Sequence, residues 1–194
     1  MPTPKPLCRV LVASAGTQAY DYIRELLPPG EYDPVTHVAS AGEAKRLLLS
    51  TDYDIVIINT PLPDEFGTEL ALDCAAGTCG VLTLCKSELY EQVAYRLEDS
   101  GVLTLPRPVN RQTFYIVIKL LVATHARLAK MEKQNRTLKE KMEDIRVVNR
   151  AKWLLIEHLS MTEQDAHYYI EKQAMDTRLS RREVAEHIIR TYDQ

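Results

Sequence analysis

The chain has 194 residues, of which 45% are hydrophobic and 26% charged, a composition that excludes collagen-like, disordered and disulfide-scaffold classes and fits one large domain or two small ones. No apolar run approaches the roughly 18 residues of a membrane span, and Lys5 and Arg9 interrupt any signal-peptide core, so a cytoplasmic protein with no membrane partner is expected. The formal charge of −3 divides unevenly: residues 1–125 carry −5, residues 126–150 carry +4 and residues 151–194 carry −2, which puts a basic band between two acidic ends.

The first half alternates short apolar runs with helical periodicity. Arg9 to Ala13 reads as a strand, followed by a helix around Tyr20 to Leu27 that stops at Pro28-Pro29-Gly30. Thr36 to Ala39 is a second strand, and Ser40-Ala-Gly-Glu43 has the form of a capping box opening a helix over Glu43 to Leu49. Asp54 to Asn59 is the most apolar strand and ends at Pro61-Leu-Pro63; Phe66 to Ala75 forms the third helix. Gly80 to Cys85, Ser87 to Leu97 and Val102 to Leu105 supply strand, helix and strand in turn. Continuous apolar strands separated by helices predict a flavodoxin-like, doubly wound, five-stranded parallel sheet of the α/β class. Ligands of such sheets sit beyond the carboxyl ends of the strands.

Arg9-Val-Leu-Val-Ala-Ser-Ala, the run Asp54-Ile-Val-Ile-Ile-Asn-Thr-Pro-Leu-Pro with Gly67, and Leu105-Pro-Arg-Pro-Val resemble the signature stretches of a response-regulator receiver domain. The resemblance covers roughly residues 7 to 122, within a first domain placed at 1–122. It implies two acids after strand one, a phospho-accepting aspartate after strand three, a hydroxyl after strand four and a lysine before the proline after strand five. The matching positions are Ser14 and Ala15, Asn59, Cys85 and Arg107. Magnesium requires hard, charged oxygen ligands, and an amide is not the carboxylate nucleophile that accepts a phosphoryl group. The expectation is a pseudo-receiver with no metal, no cofactor and no phosphorylation, whose input is a partner protein, a ligand or simple expression level.

From Val117 onward apolar residues alternate at spacings of four and three. Leu121, Leu128, Asn135, Met142 and Asn149 take the a positions, and Val117, Thr124, Met131, Leu138 and Ile145 the d positions. No Gly or Pro interrupts residues 109–194. A coiled-coil dimerisation helix is therefore expected over 112–150, running on from the last helix of the first domain. Leu121, Leu128, Met131, Asn135, Leu138, Met142 and Ile145 line its seam, and Asn135 favours two strands.

The tail, 145–194, predicts a small three-helix all-α domain. Leu154, Leu155 and Leu159 share one side of the first helix, which ends near Ser160. Thr162-Glu-Gln-Asp165 and Ser180-Arg-Arg-Glu183 read as capping boxes for two further helices, whose inward residues include Ala166, Tyr169, Ile170, Ala174, Val184, Ala185, Ile188 and Ile189. Ala151-Lys152, Leu154-Leu155, Thr162-Glu163, Ala166, Ala174-Met175, Arg178 and Val184-Ala185 resemble, in order and spacing, the ANTAR domain, an RNA-binding module of bacterial transcription antiterminators. Serine stands at position 160, where that family often has glycine. The resemblance implies a dimer that binds stem-loops in nascent mRNA and prevents a terminator from forming. Candidate RNA-binding residues are Lys152 and Arg178, then Arg146, Arg150, Lys172, Arg181 and Arg182 for phosphates, with Tyr168 and His167 for loop bases. Ala166, Ala174 and Met175 are expected in helix packing.

No phosphate loop or nucleophile elbow is present. Neither the cysteines (Cys8, Cys74, Cys79, Cys85) nor the histidines show metal-ligand spacing. A non-enzymatic regulator follows, with two alternatives: a DNA-binding response regulator, disfavoured by Glu183 and Glu186 on the last helix, and a coiled-coil protein-interaction adaptor.

Overall fold

A computed structural model describes residues 7–192, and the chain divides into two compact units, the first ending at Lys130 and the second starting at Met131. The first unit alternates β1 (Cys8–Ser14), α1 (Thr17–Leu26), β2 (Tyr32–Val38), α2 (Ala41–Leu48), β3 (Ile55–Asn59), α3 (Thr68–Ala75), β4 (Gly80–Lys86), α4 (Tyr90–Leu97) and β5 (Leu103–Arg107). Helix α5 (Arg111–Leu159) starts in this unit and continues unbroken into the second, where α6 (Glu163–Thr177) and α7 (Arg181–Tyr192) follow. All strand pairs are parallel, in the order β2-β1-β3-β4-β5. This is the doubly wound flavodoxin-like arrangement, with its switch point between β1 and β3.

The period of two in the central strands builds the core. Leu11, Ala13, Val56, Ile58 and Val81 pack on one face with Ala44 of α2, Leu70 of α3 and Leu97 of α4. Val10, Val12, Ile55, Ile57, Leu82 and Leu84 pack on the other with Ile23 of α1 and Phe114, Ile118 and Leu121 of α5. Both faces are dry, which is why these strands read as continuous apolar runs. The edge strands read less clearly. β2 begins at Tyr32, ahead of the expected Thr36, and contains Pro34; β5 extends through Pro106 to Arg107. Proline lacks a ladder donor and is tolerated at sheet edges, where both strands lie.

Local chemistry sets the helix ends. Ser40 Oγ accepts from the Glu43 amide at 3.2 Å, and the Glu43 carboxylate accepts from the Ala39 amide at 2.8 Å, closing the box that opens α2. Asn110 Oδ1 accepts from the Gln112 and Thr113 amides and starts α5. Gly67, at φ +104°, precedes α3 where a Cβ would approach Ile58 Cγ2 to 3.0 Å. A 3-10 turn, Ser87–Leu89, opens the segment expected to be helical from Ser87.

Leu121 requires a correction. It is only 4% exposed and belongs to the core between α5 and the sheet, where its Cβ lies 3.1 Å from the position a Cβ on Gly80 would occupy. It is therefore a packing residue of the first unit rather than a seam residue. The exposed part of the heptad series begins after it, with Leu128, Met131, Asn135, Leu138, Met142 and Ile145 all at the surface.

In the second unit Ala151 and Leu155 of α5, Ala166, Ile170 and Ala174 of α6, and Val184, Ala185 and Ile188 of α7 form one core. Alanines at the crossings let the helix backbones approach closely. Thr162 Oγ1 accepts from the Asp165 amide, and Ser180 exchanges hydrogen bonds with Glu183. Both α5 and α6 end on a left-handed residue, Ser160 at φ +52° and Arg178 at φ +58°. Two expectations fail here: Tyr169 is 37% exposed, and Met175 is also at the surface. Ala166, Ile170 and Ala174 already complete the buried stripe of α6, so neither Tyr169 nor Met175 has a place in it.

Candidate functional site

The carboxyl ends of β1, β3, β4 and β5 converge as the sheet topology requires. Ser14 and Asn59 are paired in register and buried. The Ser14 hydroxyl donates to the Gly16 carbonyl at 3.1 Å and lies 3.0 Å from His37 Nε2, whose ring stacks on Tyr20. Ala15 is exposed and offers a methyl group. Cys85 is fully buried, and burial pushes its thiol up, so it supplies neither a hydroxyl nor a thiolate. Arg107 Nη2 donates to the Thr60 carbonyl, and Thr60 in turn bonds the Leu84 carbonyl through its amide and hydroxyl. The guanidinium thus bridges β5 to the exit of β3.

The two acids of the neighbouring loop are also engaged. Asp64 accepts from the Ala41 and Gly42 amides at 2.9 and 2.8 Å, and the Gly42 and Ala41 donors hold its carboxyl below the usual range. Glu65 accepts from the Leu70 amide at 2.9 Å. A magnesium ion, which the receiver resemblance implies, would meet no carboxylate at the ends of β1 or β3, and the Asp64 oxygens already face N–H donors. The residues present do not fit that ion.

The second unit holds a groove of about 470 Å³ lined by Asp144, Ile145, Val148, Asn149, Lys152, His167, Ser180, Arg181 and Arg182. Helical spacing brings Asn149 and Lys152 to one face of α5, while the capping box at Ser180 aims the first turn of α7 at the same space. Lys152, His167, Arg181 and Arg182, four of the residues named from the sequence, meet here. Lys152 is 16% exposed with its ammonium 3.2 Å from Glu163. Arg181 pairs with Glu171 at 3.1 Å, and His167 lies 3.4 Å from the same carboxylate. Arg182 bridges Asp144 at 2.8 Å and Glu186 at 2.9 Å; the hydrogen bonds to those carboxylates raise its guanidinium further.

The remaining named residues lie outside the groove. Arg146 pairs with Glu143 at 3.6 Å. Arg150 and Lys172 are exposed, as is Tyr168 at 65%. Arg178 is exposed and occupies the left-handed C-cap of α6. The lining residues Asn149 and Ser180 read in the sequence only as a heptad position and a cap. Only the fold brings these two parts of the chain to one surface. Apart from the pair of Lys152 with Glu163, these ion pairs lie open to solvent.

Comparison with known proteins bears on both units. Residues 136–189 match the sequence model of the ANTAR domain. Over 184 residues, 94% of this chain and 90% of the relative, the sequence is 28% identical to the transcriptional regulatory protein PdtaR of Mycobacterium tuberculosis, in strains CDC 1551 / Oshkosh and H37Rv alike. The structure is similar to the signal receiver domain of an HD domain-containing protein from Pseudomonas fluorescens Pf-5, with 17% identity, a TM-score of 0.60, and coverage of 67% of this chain and 97% of that one. It is also similar to a CheY-like receiver domain protein from Methanospirillum hungatei JF-1, with 20% identity, a TM-score of 0.57, and coverage of 63% and 98%. The likeness to these structures shows the receiver fold.

Proposed function

We propose, for a chain that carries a receiver-fold domain followed by an ANTAR domain, that it is a dimeric, non-enzymatic transcription antiterminator acting in the cytoplasm. Its ANTAR domain binds stem-loops in a nascent transcript and keeps a terminator hairpin from forming. Its receiver-fold domain takes a partner protein or a ligand as input, independently of phosphorylation. The observation that carries the RNA reading is the groove in which Lys152, His167, Arg181 and Arg182 converge within the matched segment. Cations meet the phosphates, while loop bases take up the polar and aromatic side chains around them. Phosphorylation independence draws support from Asn59 at the end of β3 and from the capping role of Asp64. Among the described residues no helix is long and apolar enough to cross a membrane.

The test is the joint substitution Lys152→Ala and Arg181→Ala in the full chain. Binding to a two-stem-loop RNA weakens, and the salt slope of log K falls by about 0.7 for each phosphate that is no longer neutralised. The dimer, read by sedimentation, stays intact. Unchanged affinity and slope would remove the groove from the RNA interface.

A further inference from the structure

The single tryptophan of the chain has no role in either core. Trp153 is 68% exposed on α5, while Val147, Val148, Ala151 and Leu155 around it turn toward α6 and α7. Counting back from Trp153 by threes and fours gives Arg150, Arg146, Glu143, Lys139 and Arg136, all on one face of a continuous helix. The Arg146 side chain is 74% exposed. This stripe carries four cations and one acid, which pairs with Arg146. It runs beside the heptad seam, distinct from the seam residues Met142, Ile145 and Asn149.

An exposed indole at the end of a basic stripe has two candidate occupants, another copy of the chain or a polyanion. Self-association through this face would set identical rows of cations against each other, which is repulsive. A nucleic-acid strand complements the row, and a flat indole stacks on any base that is free of a duplex.

We infer that the Trp153 indole is a stacking platform for an unpaired base of the bound RNA, with Arg150 and Arg146 meeting the phosphates of the strand that leads to it. The inference rests on the RNA-binding reading above and adds a surface outside the Lys152 groove. It assigns the interaction to a loop or a linker nucleotide rather than to a stem, because paired bases present no open π-face.

Because Trp153 is the only tryptophan, its fluorescence reports on this position alone. The experiment titrates the full-length protein with a two-stem-loop RNA carrying purines in its loops. Indole emission is followed together with the anisotropy of end-labelled RNA, for wild type, Trp153→Ala and Trp153→Phe. The expected result is quenching in step with binding, a loss of about tenfold in affinity for Trp153→Ala, and near-retention for Trp153→Phe. RNA binding by the wild type without quenching, or with Trp153→Ala unchanged, overturns this inference and leaves the functional reading standing. A Trp153→Ala protein that sediments as a monomer where the wild type is a dimer assigns the indole to self-association and also overturns it. Failure of the wild type to bind the RNA defeats the functional reading itself.

Discussion

Arg178 joins a left-handed backbone to an exposed cation. Its backbone occupies the left-handed cap of α6 at φ +58°, where its amide bonds the Met175 carbonyl, and its side chain is exposed. A non-glycine residue there is strained by about 1 kcal/mol, which glycine would relieve. Arg178→Gly is therefore expected to raise the urea midpoint of the protein while weakening RNA binding. Stability up with affinity unchanged would show that the guanidinium plays no part in RNA recognition. Ser160, at φ +52° without glycine, is the same kind of helix stop. At this scale the sequence was legible where a side chain acts on its neighbours: the Ser40, Thr162 and Ser180 caps form at the spacings that announced them. It was illegible where distant segments decide. That Ser14, Ala15 and Asn59 carry no carboxylate is plain from the sequence, but only the fold shows that Asp64 caps α2. The ion pairs from Arg182 to Asp144 and from Arg181 to Glu171 likewise required the three-helix packing.

Helix α5 serves two structures along its length. Its first turns bury Phe114, Ile118 and Leu121 against the sheet; farther on, Leu128, Met131, Leu138, Met142 and Ile145 stand exposed with heptad spacing, and Ala151 and Leu155 then enter the second core. The heptad series gave no sign of where one role passes to the next, because a core-facing stripe and a dimer seam share the same period. Gly80 marks the place: its missing side chain admits Leu121. Two variants separate these roles. Leu121→Ala is expected to destabilise the first unit by about 2 to 5 kcal/mol, read by denaturant unfolding, as for other buried leucines. Met142→Asp together with Leu138→Asp is expected to leave the unfolding midpoint of the monomer nearly unchanged and to shift sedimentation from dimer to monomer. A dimer that survives both aspartates would place self-association elsewhere. The edge strands β2 and β5 illustrate a second limit of periodicity: Pro34 and Pro106 break the apolar pattern, yet the edge position allows pairing on the one side that needs no proline donor.

At the scale of the whole molecule, the near-neutral charge conceals an acidic receiver-fold unit, a basic stretch of α5 and a mixed-charge tail within the segment that matches the ANTAR domain model. This organisation was legible in the sequence because each part has its own periodicity and charge. The RNA reading rests on the resemblance to the ANTAR spacing, since charge alone points only to a polyanion. If the input is independent of phosphorylation, acetyl phosphate with magnesium should leave no acid-labile adduct on the protein and no change in its RNA affinity; an adduct would require another carboxylate to take the place of Asn59. The central claim is loop-dependent RNA recognition by the dimer. Its most direct measurement is the affinity of the full chain for a two-stem-loop RNA, the same RNA with substituted loops, and duplex DNA of equal length, each across a salt series. The account predicts tight, salt-sensitive binding to the first, a marked loss on changing the loops, and weak binding to the duplex. Equal binding to all three, or preference for the duplex, would contradict it.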